Sequence, residues 1–88
     1  MKMIKFSAVW CPACLIMNNR VNKIRNKYNL DIIDYDYDID EDEVEKYNIG
    51  KILPVMIFMK DNIEVKRLIG EISEKKLEEE ISDLLWER

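Results

Sequence analysis

Apolar and polar positions alternate along Met3–Ala8, with Ile4, Phe6 and Ala8 on one side and Met3, Lys5 and Ser7 on the other. That period of two predicts a strand. The period then changes: Cys14, Met17, Val21, Ile24 and Tyr28 recur at spacings of 3, 4, 3 and 4. These positions form one face of an amphipathic helix over residues 12–28. Pro12 suits its first position, where the N–H it lacks would be unpaired anyway, and Cys11 becomes the N-cap. Leu30–Tyr37, rich in Ile and Tyr, predicts a second strand. Asp40 with Glu43 has the form of a capping box, which predicts a short helix from Glu41 to about Asn48.

Ile52–Met59 is apolar and β-branched around Pro54 and predicts a central strand entered through the proline. Lys60, Asp61 and Asn62 make a polar turn, and Ile63–Ile69 alternates as the hairpin partner. Gly70 ends that pattern. Ser73 then caps a last helix that carries Leu77, Ile81, Leu84 and Leu85 on one face, with Glu74 in its first turn and Arg88 in its last. The predicted order is β-α-β-α-β-β-α. Its first half is a βαβ unit, right-handed and parallel in nearly all known cases. The expected architecture is α/β: a four-stranded mixed sheet flanked by three helices on both faces.

Composition narrows the chemistry. The 88 residues suffice for one domain, taken as residues 1–88. Fourteen basic and eighteen acidic side chains leave a net charge of −4, which argues against a nucleic-acid partner. There is no His, so imidazole bases, Ser-His-Asp and Cys-His catalysis and His-containing zinc sites are all excluded. Lys5 interrupts any apolar run at the start, unlike a signal peptide. The apolar stretches Ala8–Met17 and Ile52–Met59 fall short of the ~18 residues of a membrane span. The expectation is a cytoplasmic monomer without a membrane partner. In that compartment a cysteine pair points to catalysis or metal binding rather than to a permanent staple.

The chain has two cysteines, three residues apart. At the N-cap, the Cys11 sulfur faces the open N–H groups of the first turn, of which Ala13 and Cys14 can donate. These donors and the helix dipole favour a thiolate. Cys14 opens the buried apolar stripe and is expected to be the less exposed thiol. Such asymmetry suits dithiol–disulfide exchange, in which one exposed thiolate attacks a disulfide and a shielded thiol resolves the mixed disulfide. A zinc or iron–sulfur site stays open only as a dimer, because one chain supplies just two thiolates and no His. A structural bridge over so short a span would add little stability.

Trp10-Cys11-Pro12-Ala13-Cys14 preceded by Phe6 and Ala8, Pro54 after Ile52-Leu53, and Gly70-x-Ile72-Ser73 followed by Leu77 and Ile81 stand in one order along nearly the whole chain. In these three motifs the sequence resembles the thioredoxin superfamily, in a minimal form without an extra N-terminal strand and helix. The resemblance implies a redox-active Cys11–Cys14 centre with no bound cofactor, serving electron transport and cell redox homeostasis. It implies that Cys11 is the nucleophile and Cys14 the resolving thiol, and that Trp10 packs beside them. Pro54 would be cis, Leu53 would offer backbone hydrogen bonds to an extended substrate segment, and Gly70 would let the substrate backbone approach. Protein disulfides would be the substrates and a thioredoxin-reductase-like flavoprotein using NADPH the electron donor.

Pro12-Ala13 between the cysteines departs from the Gly-Pro of thioredoxins. A proline directly after the first cysteine is a glutaredoxin habit, which makes glutathione coupling the alternative. Against it, Leu53 stands where glutaredoxins have Thr or Val, and Glu71-Ile72 follows Gly70 where they have a Gly-Gly-Asp-like turn. Lys5 falls where thioredoxins keep a buried Asp behind the resolving cysteine, and Asp34 where they have a Lys. We expect the two to touch across adjacent parallel strands, with the cation tuning Cys14. Asp34, Asp36, Asp38, Asp40, Asp42 and Glu45 match the spacing of calcium-loop positions 1, 3, 5, 7, 9 and 12. Ile39 stands where that loop needs Gly, so the expectation is a solvated strand end running into a helix.

Overall fold

In a computed structural model that describes residues 1–86, the elements are β1 (Lys2–Ser7), α1 (Pro12–Tyr28), β2 (Asp31–Asp36), α2 (Glu41–Lys46), β3 (Val55–Lys60), β4 (Ile63–Ile69) and α3 (Glu74–Trp86). The strands join in the order β2-β1-β3-β4, so the apolar β1 and β3 are central. β1 runs parallel to β2 and antiparallel to β3, and β4 is antiparallel to β3. This is the expected four-stranded mixed sheet.

Period-two alternation sends successive side chains to opposite faces. Met3, Met56, Phe58 and Leu68 meet Met17, Val21 and Ile24 of α1 and Leu77, Ile81 and Leu84 of α3. On the other face Ile4, Phe6, Val55 and Ile57 pack with the two cysteines, Leu53 and Ile49, and half-buried Tyr35, Val44 and Tyr47 lean on them. α2 lies on that face beside the first turn of α1 and has no fully buried residue. Among the described residues no helix is long and apolar enough to cross a membrane.

Local signals explain the element ends. Asn29 takes the left-handed conformation (φ 52°) as the cap of α1 and returns its N–H to the Arg25 carbonyl. Asp61 and Asn62, both at positive φ, form the two-residue turn between β3 and β4. Ser73 Oγ accepts the Lys76 N–H at 3.0 Å and caps α3.

Several expectations need correcting. β1 spans Lys2–Ser7 rather than Met3–Ala8, and β2 ends at Asp36. α2 stops at Lys46, and Asp40 makes no side-chain cap; its Oδ2 instead accepts the Asp36 N–H at 2.7 Å. β3 begins only at Val55, because residues 51–53 bend and leave Ile52 exposed. Leu85, expected on the buried face of α3, is exposed. Arg88, placed above in the last turn of α3, lies outside the described residues.

Candidate active site

The end of β1 delivers the chain to a turn at Ala8–Trp10, where the Cys11 N–H bonds back to the Ala8 carbonyl at 3.2 Å. Cys11 holds extended backbone angles (φ −97°, ψ 107°) and is the N-cap of α1, with Pro12 at the first helical position. Its Sγ accepts the Cys14 N–H at 3.2 Å. The Ala13 N–H, also expected to donate, does not. The Cys11 thiol points to the Leu53 carbonyl at 3.8 Å. Both cysteines are free thiols.

The expected asymmetry of exposure is present but narrow. Cys11 is 6% exposed and Cys14 1%. Cys11 is therefore not an open thiol: Leu53, Ala8 and Val55 of the α2-side core close around it. Burial is the main cause that pushes the Cys14 thiol up to about 11. Its hydrogen bond and proximity to Cys11 push the same way, while a backbone hydrogen bond from Ala8 and the charge of Lys5 pull it down.

The Leu53–Pro54 peptide is cis, and the Leu53 carbonyl lies against Cys11. The Pro54 carbonyl accepts the Gly70 N–H at 2.8 Å. Gly70 is buried at φ +85°, and a Cβ there would meet Ile52 Cγ2 at 3.5 Å, an ordinary contact. Backbone conformation, not room for an approaching chain, is what demands glycine here.

Trp10 stands beside the cysteines with 58% of its surface exposed. Its indole Nε1 donates to Asp38 Oδ2 at 2.7 Å, and its ring meets Tyr37 edge-on, with centroids 6.5 Å apart. Sequence reasoning placed Asp38 only in the acidic run and missed this anchor. The carboxylates of that run are engaged locally: Asp36 Oδ1 accepts the N–H groups of Asp38 and Ile39. Among the described residues no group of three or more His, Cys, Asp or Glu converges as a metal site.

Lys5 and Asp34 are paired residues of β1 and β2, and Lys5 Nζ lies 3.1 Å from Asp34 Oδ1. Lys5 Nζ also donates to Asn18 Oδ1. Asn18 was missed as well, although its place four residues after Cys14 puts it on the same helical stripe. Arg20, a third unforeseen residue, donates to the Ile72 carbonyl and Glu71 and ties the segment after Gly70 to α1.

A protein-family model described as Thioredoxin matches residues 1–83. Thioredoxin H2 of Arabidopsis thaliana is 28% identical over 82 residues, 92% of this chain and 60% of that protein. Thioredoxin H7 of the same plant is 34% identical over 76% of this chain and 52% of its own length. The chain thus spans about half to three-fifths of the curated relatives it matches. The solved thioredoxin of Fasciola hepatica superposes with a TM-score of 0.84 at 29% identity, covering 93% of this chain and 78% of that one.

Proposed function

This chain belongs to the thioredoxin family, and we propose that it is a thiol–disulfide oxidoreductase that reduces protein disulfides by dithiol exchange. One observation carries the reading: Cys11 at the N-cap of α1, accepting the Cys14 N–H at 3.2 Å, with Cys14 deeper in the same core. A negative sulfur at that place meets a helix N-terminus and a backbone donor.

Cys11 as thiolate attacks one sulfur of a substrate disulfide. The Cys11–substrate S–S bond forms, the substrate bond breaks, and the departing sulfur takes the electron pair and a proton from water. Cys14 then gives its proton to water and attacks Cys11 Sγ. The Cys11–Cys14 bond forms, the mixed disulfide breaks, and the substrate leaves as a dithiol. Two electrons have passed from the protein to the substrate.

Exposed Val9 and Trp10 precede the cysteines, and exposed Ile52 precedes the Leu53 that meets Cys11, which supports a protein substrate lying over them. In this reading Pro12 and Ala13 shape the first turn, Leu53 and Pro54 meet the substrate backbone, and Gly70 holds the turn behind them. The same reading gives the protein no bound cofactor, a cytoplasmic location, and an NADPH-dependent, thioredoxin-reductase-like flavoprotein to return the two electrons.

The test is the midpoint potential of the Cys11–Cys14 couple, read by thiol alkylation across a dithiol buffer series. A value near about −270 mV fits a general reductant. A value near about −200 mV redirects the reading to glutathione coupling. No reversible two-electron couple overturns it and leaves the thiolate-bridged metal dimer.

A further inference from the structure

Lys5 is the one fully buried charged side chain among the described residues, at 5% exposure. It projects to the apolar face of the sheet that α1 and α3 cover, next to Met3 and opposite Met56. An ammonium there costs desolvation that a methionine would not, and a buried ion pair seldom returns a net gain in stability. The charge therefore calls for a reason other than packing.

Its placement supplies one. Nζ is held by Asn18 Oδ1 and by Asp34 Oδ1, the latter at 3.1 Å. Asn18 and Cys14 share a helical stripe one turn apart, so the bond to Asn18 anchors the ammonium under the first turns of α1. The charged and titratable groups that face Lys5 are few. From α1 comes Cys14, one helical turn before the Asn18 that holds the ammonium, and the charge of Lys5 acts on its thiol. β2 offers Asp34, and Asp36 and Asp40 line the same cleft. β3 offers only uncharged Met56. Among the described residues α3 bonds no charged group to it. Asp34 has 59% of its side chain exposed, so water screens its charge at Cys14 more than it screens that of Lys5.

We propose that Lys5 is a positioning residue for the resolving step: its ammonium, fixed by Asn18 and Asp34, supplies the positive charge that favours Cys14 as a thiolate when it attacks the mixed disulfide. This rests on the exchange reading above. The ammonium accepts no proton. The Cys14 proton goes to water, the Cys14–Cys11 bond forms, and the Cys11–substrate bond breaks with its electron pair leaving on the substrate sulfur. The charge of Lys5 pulls the Cys14 thiol down, against the larger upward push of burial.

The role predicts opposite signs for the two halves of the ion pair. Lys5→Met removes the attraction. Asp34→Asn removes only the competing negative charge and leaves Lys5 on Asn18. The experiment titrates Cys14 in the reduced full-length chain through its 13Cβ NMR shift. In parallel, Cys11 is loaded with thionitrobenzoate and the release of that group by Cys14 is timed. Lys5→Met should raise the Cys14 midpoint by about one pH unit and slow release about tenfold at neutral pH. Asp34→Asn should lower the midpoint and speed release. Lys5→Arg should restore release to within about threefold of the native rate.

Lys5→Met and Asp34→Asn moving Cys14 in the same direction, or neither moving it, overturns the inference. If Lys5→Met does not fold, the sign of the Asp34→Asn shift at its exposed site decides alone. A chain that shows these shifts but reduces no protein disulfide overturns the exchange reading and leaves the electrostatic assignment standing.

Discussion

The two faces of the sheet are built from the same kinds of strand residue and end up unlike. Toward α1 and α3, Met3, Met17, Met56, Phe58, Leu77 and Ile81 are sealed from solvent, and Lys5 is the only charge among them. Toward α2, a six-residue helix and the first turn of α1 cover the sheet, and half-buried tyrosines fill the margin. The first face has two helices packed on it. The second holds the two sulfurs, with Cys11 6% and Cys14 1% exposed.

The largest expected effect breaks the comparison if it fails. Ile81→Ala, at a fully buried site on the α1–α3 side, should lower unfolding free energy by about 3–4 kcal/mol in urea melts. Val44→Ala, at a half-buried site on α2 itself, should cost less than about 1 kcal/mol. Equal losses would mean that the two faces carry the fold equally.

The second effect reads the thinner face through its thiol. Cys14 is held up to about 11, chiefly by burial, against an ordinary value of 9.0. A raised folded value means that the neutral thiol stabilises the reduced fold fully below the ordinary value. That contribution is lost as pH rises through the folded one. Reduced wild type should therefore lose about 2 kcal/mol relative to Cys14→Ser between about pH 9 and pH 11. Urea melts of the two proteins over that range measure the difference, and parallel curves would show that Cys14 is as well solvated folded as unfolded.

What the sequence made legible follows this division. The helical stripe of α1 and the Ser73 cap of α3 came through because packing and propensity agree there. The site motifs were readable for a similar reason: Cys11, Pro12 and Cys14 need only a helix start. The α2 side was read less well. The Asp40 carboxylate went to the Asp36 N–H instead of capping the helix. Ile52 looked like strand, but the bend before the cis Leu53–Pro54 peptide turns it outward. Asn18 on Lys5 and Asp38 on Trp10 are contacts between distant segments, and no local pattern encodes their distance.

A third effect lies at the seam. Gly70, at φ +85°, closes β4 and gives its N–H to the Pro54 carbonyl behind the cysteines. Gly70→Ala should cost about 1–2 kcal/mol through the left-handed backbone alone, since the added methyl meets only an ordinary contact. The same substitution should leave the Cys14 titration in place. A larger loss, or a shift of Cys14, would show that the turn is crowded by side chains and that it governs the thiol directly.

The smallest effect tests how the thinner face is tied down. Arg67 on the edge strand β4 donates to the Tyr47 carbonyl at 2.8 Å, at the C-terminal end of α2, while Glu64 grips the same guanidinium at two 2.8 Å contacts. The hydrogen bonds from Arg67 hold the Glu64 carboxyl below its ordinary 4.5. A lowered folded value contributes stability above the ordinary one and loses it as pH falls through the folded one. Both side chains are partly exposed, so water and salt screen most of the attraction. Glu64→Gln should therefore cost no more than about 0.5 kcal/mol at neutral pH and progressively less as pH falls through the carboxylate range, with the difference shrinking in molar salt. Arg67→Ala should cost more, because it also frees the Tyr47 carbonyl and loosens α2 over the cysteines. Amide exchange across Glu41–Lys46 separates the two cases: faster exchange in Arg67→Ala but not in Glu64→Gln would place the tie in the backbone bond rather than in the ion pair.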